Sequence, residues 1–184
     1  MLFEMFSFVI EIVAGIFAGF LLLRFWMQAL RIRPPSSLGQ AIFQITDWLV
    51  KPIRRLVPGF LGLDWASLIA AFLVSVLSFM LESLFSGQFN VALILLLSVV
   101  RLLQWIIYGL MALLVFEAIL SFVNPYAPLA PVIRALNQPL LAPLRRLIPP
   151  VGNIDFSPLV ALIVLQLLSR LLISLVPRLY MYVV

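Results

Sequence analysis

Four long apolar segments dominate the sequence, and shorter stretches between them hold most of the charge. The segments cover roughly Phe6–Leu30, Trp65–Phe85, Val91–Phe122 and Pro158–Val176. A helix needs about 20 mainly apolar residues to cross a bilayer. The pattern therefore predicts an all-α, polytopic membrane protein with four transmembrane helices.

Two of the connecting stretches show helical periodicity. In the first, polar residues recur every three or four positions from Gln40 to Arg55, and the second repeats this from Arg134 to Arg145. This spacing predicts amphipathic helices that lie in the membrane interface. Because a proline in a helix interior costs about 3 kcal/mol, we expect a proline break and a tight turn at each basic pair. The predicted apolar faces consist of Ile42, Ile45, Leu49, Ile53 and Leu56 in the first connection, and Ile133, Leu136, Leu140, Leu144 and Leu147 in the second; Asn137 and Gln138 are assigned to the polar face.

The chain contains an internal repeat with an offset of 91 residues. Segment Pro52–Pro58 matches Pro143–Pro149 at five of seven positions, and the same offset pairs Asp64 with Asp155. Each copy then consists of a span, a basic amphipathic connection and a second span. Two spans per copy return the chain to the same side of the membrane, so the copies run parallel. We predict repeat units at 1–90 and 91–184.

The composition excludes several function classes. The chain is 65% apolar and 10% charged, and it contains neither cysteine nor histidine. A soluble globular domain, a Cys/His metal site, a thiol nucleophile and ordinary haem ligation are therefore excluded. We expect no cofactor, no metal and no catalytic residue, and we expect that the protein is not an enzyme.

The net charge of +5 is explained by topology rather than by nucleic-acid binding. The connection Arg31–Asp64 holds five Lys/Arg and Val123–Ser157 holds three, whereas the turn Ser86–Asn90 holds none. By the positive-inside rule, both basic connections face the cytoplasm. We expect a multi-pass protein of the bacterial inner membrane with both termini in the periplasm and no nucleic-acid partner.

Six charged residues lie inside the predicted spans, where an ionisable group marks a functional site by default. Depth along the helices predicts two contacts: Arg24 with Glu117 in the cytoplasmic half, and Arg170 with Glu82 in the outer half. Polar contacts within a four-helix bundle explain these residues most simply, and an ion or proton path is the alternative. The six residues are Glu11, Arg24, Glu82, Arg101, Glu117 and Arg170.

The repeated basic segments are the candidate binding site. A topology marker needs positive charge but no fixed backbone, whereas here the flanking prolines recur with the arginines. The favoured hypothesis is a site for anionic lipid or a partner protein, and the alternative is that the arginines act only as topology markers. The candidate residues are Arg54, Arg55, Arg145, Arg146, Pro143, Pro149 and Asp155.

A catalytic alternative involves Asp64 and Asp155. Parallel repeats could bring these two carboxylates together near the membrane surface, where a pair can share a proton and activate water. The simpler explanation is that an aspartate just before a span is stabilised by the helix dipole.

The segment from Pro143 to Pro158 resembles a motif of the YggT family of small membrane proteins of bacteria and plastids. The residues that carry the resemblance are Pro-Leu-Arg-Arg-Leu-Ile-Pro-Pro followed by Gly-Asn-Ile-Asp-Phe-Ser-Pro, and residues 52–65 form a degenerate first copy. The resemblance implies an integral inner-membrane protein. Family members are associated with osmotic stress or ion homeostasis, with cell division, and in plastids with cytochrome assembly. Copy two keeps the motif better and is the stronger binding candidate.

Three functions follow as expectations. The first is a non-enzymatic scaffold or assembly factor whose basic connections bind anionic phospholipids or partner proteins. The second is a component of ion or osmotic homeostasis, such as a small channel or its modulator. The third is an intramembrane aspartyl hydrolase. Its expected partners are the bilayer, its anionic lipids, and either another membrane protein or further copies of the chain.

Overall fold

The computed structural model describes residues 2–57, 59, 62–87, 89–148 and 155–183. Four helices in this part are long and apolar enough to cross a membrane, as the sequence predicts. They are α1, α3, α4 and α6, and the shorter α2 and α5 connect the two spans of each half. The bounds are α1 Leu2–Ala29, α2 Ser36–Leu56, α3 Trp65–Ser86, α4 Val91–Val123, α5 Ala130–Leu147 and α6 Ser157–Val183.

The expected proline breaks do not occur at Pro52, Pro139 or Pro143, while Pro58, Pro149 and Pro150 lie outside the described residues. Helix α2 continues through Pro52, and α5 continues through Pro139 and Pro143 up to the basic pairs. Both helices bury one face against the bundle, with Ile42 and Leu141 almost inaccessible to solvent. We infer that this packing outweighs the cost of about 3 kcal/mol per interior proline. The basic pairs therefore lie in the last helical turns rather than in a separate turn.

Each half of the chain has its own apolar core. In the first half, α1, α2 and α3 meet at a cluster that includes Leu21, Val50 and Ala70. In the second, α4, α5 and α6 meet at a cluster that includes Leu114 and Leu141. A third cluster around Met27 joins α1 and α2 to α5. Both connecting helices therefore lie at the same end of the bundle, where the first span of each half ends and the second begins.

The first spans of the two halves align with a slightly different offset from the rest of the repeat. The buried positions Ala14 and Leu21 of α1 correspond to Ile107 and Leu114 of α4, which is an offset of 93 residues. The connections and second spans keep the offset of 91, as Ala70 and Ala161 show in the two cores. These two offsets define which positions are structurally equivalent.

The two halves pack side by side through different helices. Helix α4 packs against α3 and α1 of the first half, while α6 packs on α4 and α5. Helices α1 and α6 therefore lie towards opposite edges of the bundle without extensive contact between them. The α3–α4 contact between halves is heterologous, since it joins a second span to a first span.

Candidate functional site

Each basic pair places one arginine in an ion pair with the aspartate that precedes the next span. Arg54 Nη2 lies 2.6 Å from Asp64 Oδ2, and Arg145 Nε lies 2.8 Å from Asp155 Oδ2. Both pairs link residues ten positions apart and occupy equivalent places in the two halves. Each pair ties the end of the connecting helix to the start of the following span. From the sequence, these arginines were considered as a binding site or as topology markers and this ion pair was missed, although the shared spacing of ten residues is visible in the sequence.

The two ion pairs differ in burial. Asp64 is 1% exposed and also accepts a hydrogen bond from Ser67 Oγ at 2.7 Å. Asp155 is 35% exposed, and its Oδ1 accepts a hydrogen bond from the backbone N–H of Ser157. Partial burial raises the pKa of Asp155, but the hydrogen bonds from Ser157 and Arg145 outweigh it and hold that pKa below its usual value. Asp155 therefore stays ionised at neutral pH.

Arg24 is a buried cation at the place where α1, α2 and the start of α3 meet. Its Nη1 donates to Thr46 Oγ1 at 2.8 Å and to Asp47 Oδ1 at 2.7 Å. Its Nε lies 3.3 Å from Asp64 Oδ2, within ion-pair distance but without hydrogen-bond alignment. Arg24 is only 5% exposed, so it depends on these two carboxylates for compensation. A hydrogen bond from Lys51, together with Arg24, holds the pKa of Asp47 below its usual value despite desolvation.

The predicted contact between Arg24 and Glu117 is wrong. Glu117 instead accepts a hydrogen bond from Asn137 Nδ2 at 2.7 Å, and the same amide donates to the carbonyl of Leu113. By the two offsets, Glu117 is the equivalent of Arg24, and Asn137 is the equivalent of Thr46. At this place in each half, a charged residue of the first span is hydrogen-bonded to a polar residue of the connecting helix. The charge is positive in the first half and negative in the second.

Asn137 also departs from its predicted place on the polar face. It is fully buried, and its amide nitrogen donates to Glu117 and to the carbonyl of Leu113, while its Oδ1 has no partner among the described residues. The predicted apolar face of α2 is divided as well. Ile42 is buried, whereas Leu56 is 84% exposed.

An ion pair between Arg101 and Glu82 joins the two halves, whereas depth along the helices predicted Arg170 as the partner of Glu82. Arg101 Nη1 of α4 lies 2.9 Å from Glu82 Oε1 of α3 and donates to Ser78 Oγ at 3.0 Å. The Arg101 guanidinium also lies over the Phe79 ring, 3.6 Å from its centroid. The expected contact between Arg170 and Glu82 is therefore wrong. Arg170 and Glu11 are both exposed and make no ion pair within the described residues.

The second arginine of each basic pair remains accessible. Arg55 and Arg146 are exposed, and neither makes a hydrogen bond or ion pair in the part of the chain that the structure describes. Pro143 lies inside α5 and is exposed, whereas Pro149 lies outside the described residues, as does the segment 150–154 of the motif.

A further basic feature was missed by the sequence reasoning. A cleft of about 470 Å³ at the end of α1 is lined by Arg24, Arg31 and Arg33, with Phe43 and Gly62 across from them. Arg31 and Arg33 are exposed. Their spacing just before two prolines was the available signal.

The proposed aspartic pair is not assembled in the described contacts. Asp64 and Asp155 each bind an arginine of their own half. They stand at the starts of α3 and α6, two helices that each pack against α4. The arrangement gives each carboxylate a structural role.

These features define a four-span membrane protein made of two related halves. In each half, an arginine–aspartate ion pair joins the connecting helix to the start of the second span. The CCB3/YggT family model matches the chain twice, over residues 3–85 and 96–176, and the chain belongs to this family. The starts of the two matches differ by 93 residues and their ends by 91, in agreement with the offsets seen in the cores.

Relatives from several bacteria match over most of their length. An uncharacterized protein of Pseudomonas aeruginosa is 32% identical over 177 residues, covering 91% of this chain and 87% of the relative. The Escherichia coli K12 protein described as "Uncharacterized protein YggT" is 30% identical over 164 residues, covering 89% and 86%. A Vibrio alginolyticus relative is 31% identical over 177 residues, covering 90% and 92%. No solved structure matches the chain significantly.

Proposed function

We propose that this protein is a non-enzymatic scaffold of the bacterial inner membrane whose basic face binds anionic phospholipid headgroups and thereby organises partner proteins. One observation carries the proposal. In both halves, the first arginine of the basic pair binds an aspartate, while Arg55 or Arg146 at the adjacent position stays exposed without a protein partner in the described residues. The repeat thus presents the same free guanidinium twice at one end of the bundle.

The neighbouring side chains support a location at the headgroup level. Leu56 and Leu147 follow the free arginines and are 84% and 77% exposed. An exposed leucine beside an arginine at a helix end suits the boundary between acyl chains and headgroups. The cleft with Arg31 and Arg33 adds positive charge at the same end, and the Lys/Arg bias favours a cytoplasmic location for this end.

Removing the free arginines is expected to weaken the preference for anionic lipid. Each arginine near an anionic surface contributes about 1 kcal/mol, so Arg55→Gln with Arg146→Gln should reduce the preference roughly 30-fold. The measurement is energy transfer from a labelled protein to headgroup-labelled phosphatidylglycerol, compared with phosphatidylcholine, in mixed nanodiscs. The effect should shrink with added salt.

The matched control removes the same charge from the paired arginines. Arg54→Gln with Arg145→Gln should lower stability while largely preserving lipid preference. If both double variants lose lipid preference equally, the site is a diffuse charge and not the two free guanidinium groups. Arg55→Lys with Arg146→Lys separates charge from the bidentate geometry that only arginine offers.

The ion-homeostasis alternative has less support. The cavity between α1 and α4, of about 630 Å³, is lined almost entirely by apolar side chains such as Leu22, Trp105 and Phe116. An ion path needs polar groups along its length. The hydrolase alternative lacks a paired carboxylate site among the described contacts.

A further inference from the structure

The contact between the two halves has a recognisable composition. On α3, Phe79 and Glu82 are one turn apart, and both contact the same guanidinium, that of Arg101 on α4. The contact thus consists of an arginine on one helix and a Phe-x-x-Glu segment on its neighbour. Ser75 adds a hydrogen bond from its Oγ to the carbonyl of Ser98, at 3.1 Å.

The same Phe-x-x-Glu segment occurs on the free face of α1. Phe8 is 62% exposed, and Glu11 is exposed without an ion pair in the described part of the chain. With the offset of 93 residues for first spans, Phe8 occupies on α1 the position that Arg101 occupies on α4. The segment on α1 therefore lies at the position whose equivalent on α4 contacts the first half.

An unpaired arginine occupies the reciprocal position on α6. Arg170 is exposed, and no described residue forms an ion pair with it. With the offset of 91 residues, Arg170 stands where Phe79 stands on α3. At the internal contact, the arginine lies on a first span, α4, and the phenylalanine on a second span, α3. At the two free edges the arrangement is reversed, with Phe8 on the first span α1 and Arg170 on the second span α6.

We propose that copies of this chain associate head to tail in the membrane, with α6 of one copy packed against α1 of the next as α3 packs against α4. In this contact, Arg170 of one copy lies over Phe8 of the next and forms an ion pair with its Glu11. The occupant of the free α1 and α6 faces is therefore a second copy of the same chain.

Side-chain direction agrees with the contact. Helix side chains lean towards the N-terminus of their helix. Because α6 runs in the opposite direction to α1, Arg170 leans towards the level of Glu11, and Glu11 leans back towards Arg170. The internal pair of Arg101 and Glu82 converges in the same way.

The surrounding surfaces also match the internal contact. On α6, Gln166 and Ile173 are exposed, whereas the equivalent positions Ser75 and Glu82 on α3 are covered. On α1, a stripe of exposed apolar residues matches the α4 positions that face the first half. The stripe consists of Met5, Phe8, Val9, Ile12 and Ile16, and the α4 equivalents are Ser98, Arg101, Leu102, Trp105 and Gly109.

One physical argument favours this occupant over lipid. A charged side chain inside the hydrocarbon region is costly unless it is paired, and this contact pairs two such groups at once. A head-to-tail contact between second and first spans leaves one free copy of each face at the ends, so it continues into a ring or a row of copies.

Cysteine crosslinking in this cysteine-free chain tests the contact. The internal neighbours Ser75 and Ser98 correspond to Gln166 and Met5 at the free edges. Cells that coexpress Gln166→Cys and Met5→Cys as separate chains should form a disulfide-linked dimer in native membranes after mild oxidation. The matched control replaces Gln166→Cys by Leu171→Cys, which is 61% exposed and points about 140° away from Gln166 around α6, so it should not crosslink.

Charge exchange shows whether the predicted pair drives the contact. Arg170→Glu in the Gln166→Cys chain should lower the crosslinked fraction about tenfold, and adding Glu11→Arg to the Met5→Cys chain should restore most of it. The amount of membrane-inserted monomer on the same gel separates lost contact from failed folding. Normal insertion without crosslinking, equal crosslinking at Leu171, or no restoration by the exchange would each overturn the proposal.

Discussion

Replacing Asp64 by asparagine is expected to lower the free energy of unfolding by about 3–5 kcal/mol. Asp64 is 1% exposed and lies within ion-pair distance of Arg24 and Arg54. Its loss leaves Arg24, itself 5% exposed, with Asp47 as its remaining carboxylate partner. A buried charge without full compensation is costly because it has lost its hydration.

The equivalent aspartate of the second half is the matched control. Asp155→Asn removes an ion pair in which the side chains of Arg145 and Asp155 are 40% and 35% exposed. Such a pair contributes about 1 kcal/mol or less. Thermal or denaturant unfolding of the purified protein in one detergent measures both variants. Equal losses at Asp64 and Asp155 would show that burial does not separate the two sites.

Breaking the pair between Arg101 and Glu82 is expected to cost about 2–4 kcal/mol. Arg101→Met leaves Glu82, 18% exposed, without its cation in the half of the bundle that lies away from the connecting helices. Among the described residues, the reverse change, Glu82→Met, leaves Arg101 with Ser78 and the Phe79 ring as its partners. Each single change loosens the contact between the two halves.

A double-mutant cycle isolates this pair. The variant with both Arg101→Met and Glu82→Met should recover much of the loss, because well-packed apolar groups replace a partly buried ion pair without leaving a charge. Arg170→Met is the control, since Arg170 is exposed and makes no ion pair in the described residues, and it should change the stability of the detergent-solubilised monomer little. Strictly additive single losses would mean that the two side chains do not interact.

The spans and the repeat were predictable because both are properties of the linear sequence. The length of the apolar segments determines the number of crossings, and the recurrence from Pro52 to Asp64 and from Pro143 to Asp155 is visible without a structure. The start of α3 at Trp65 and the start of α4 at Val91 agree with the predicted spans.

The charge contacts were harder to predict because depth gives the level of a residue but not the direction in which it faces. Arg24 and Glu117 are at similar depth because they are equivalent positions of two halves, not because they touch. The structure pairs Arg24 with Asp47, which lies on the polar face predicted for the first connection between Gln40 and Arg55. The structural equivalents of the exposed edge residues Phe8 and Arg170 can be assigned only with both offsets, 91 and 93.

The separate roles of the two arginines in each basic pair were also hard to predict from the sequence. Consecutive arginines carry the same charge, so the sequence does not distinguish the role of Arg54 from that of Arg55, or Arg145 from Arg146. In a helix, consecutive residues point about 100° apart, so one can reach the aspartate while the other stays free. The functional candidates are thereby reduced from four arginines to Arg55 and Arg146.

The central claim is that two parallel halves place both basic connections on one side of the membrane and the α3–α4 turn on the other. Single cysteines at Gln40, Tyr126 and Phe89 test it in intact cells with a membrane-impermeant maleimide. All three positions are exposed in the structure. The account predicts that only Phe89→Cys is labelled from outside, and that Gln40→Cys and Tyr126→Cys react only after the membrane is permeabilised. Labelling of Gln40→Cys and Tyr126→Cys from opposite sides would contradict the parallel arrangement of the two halves.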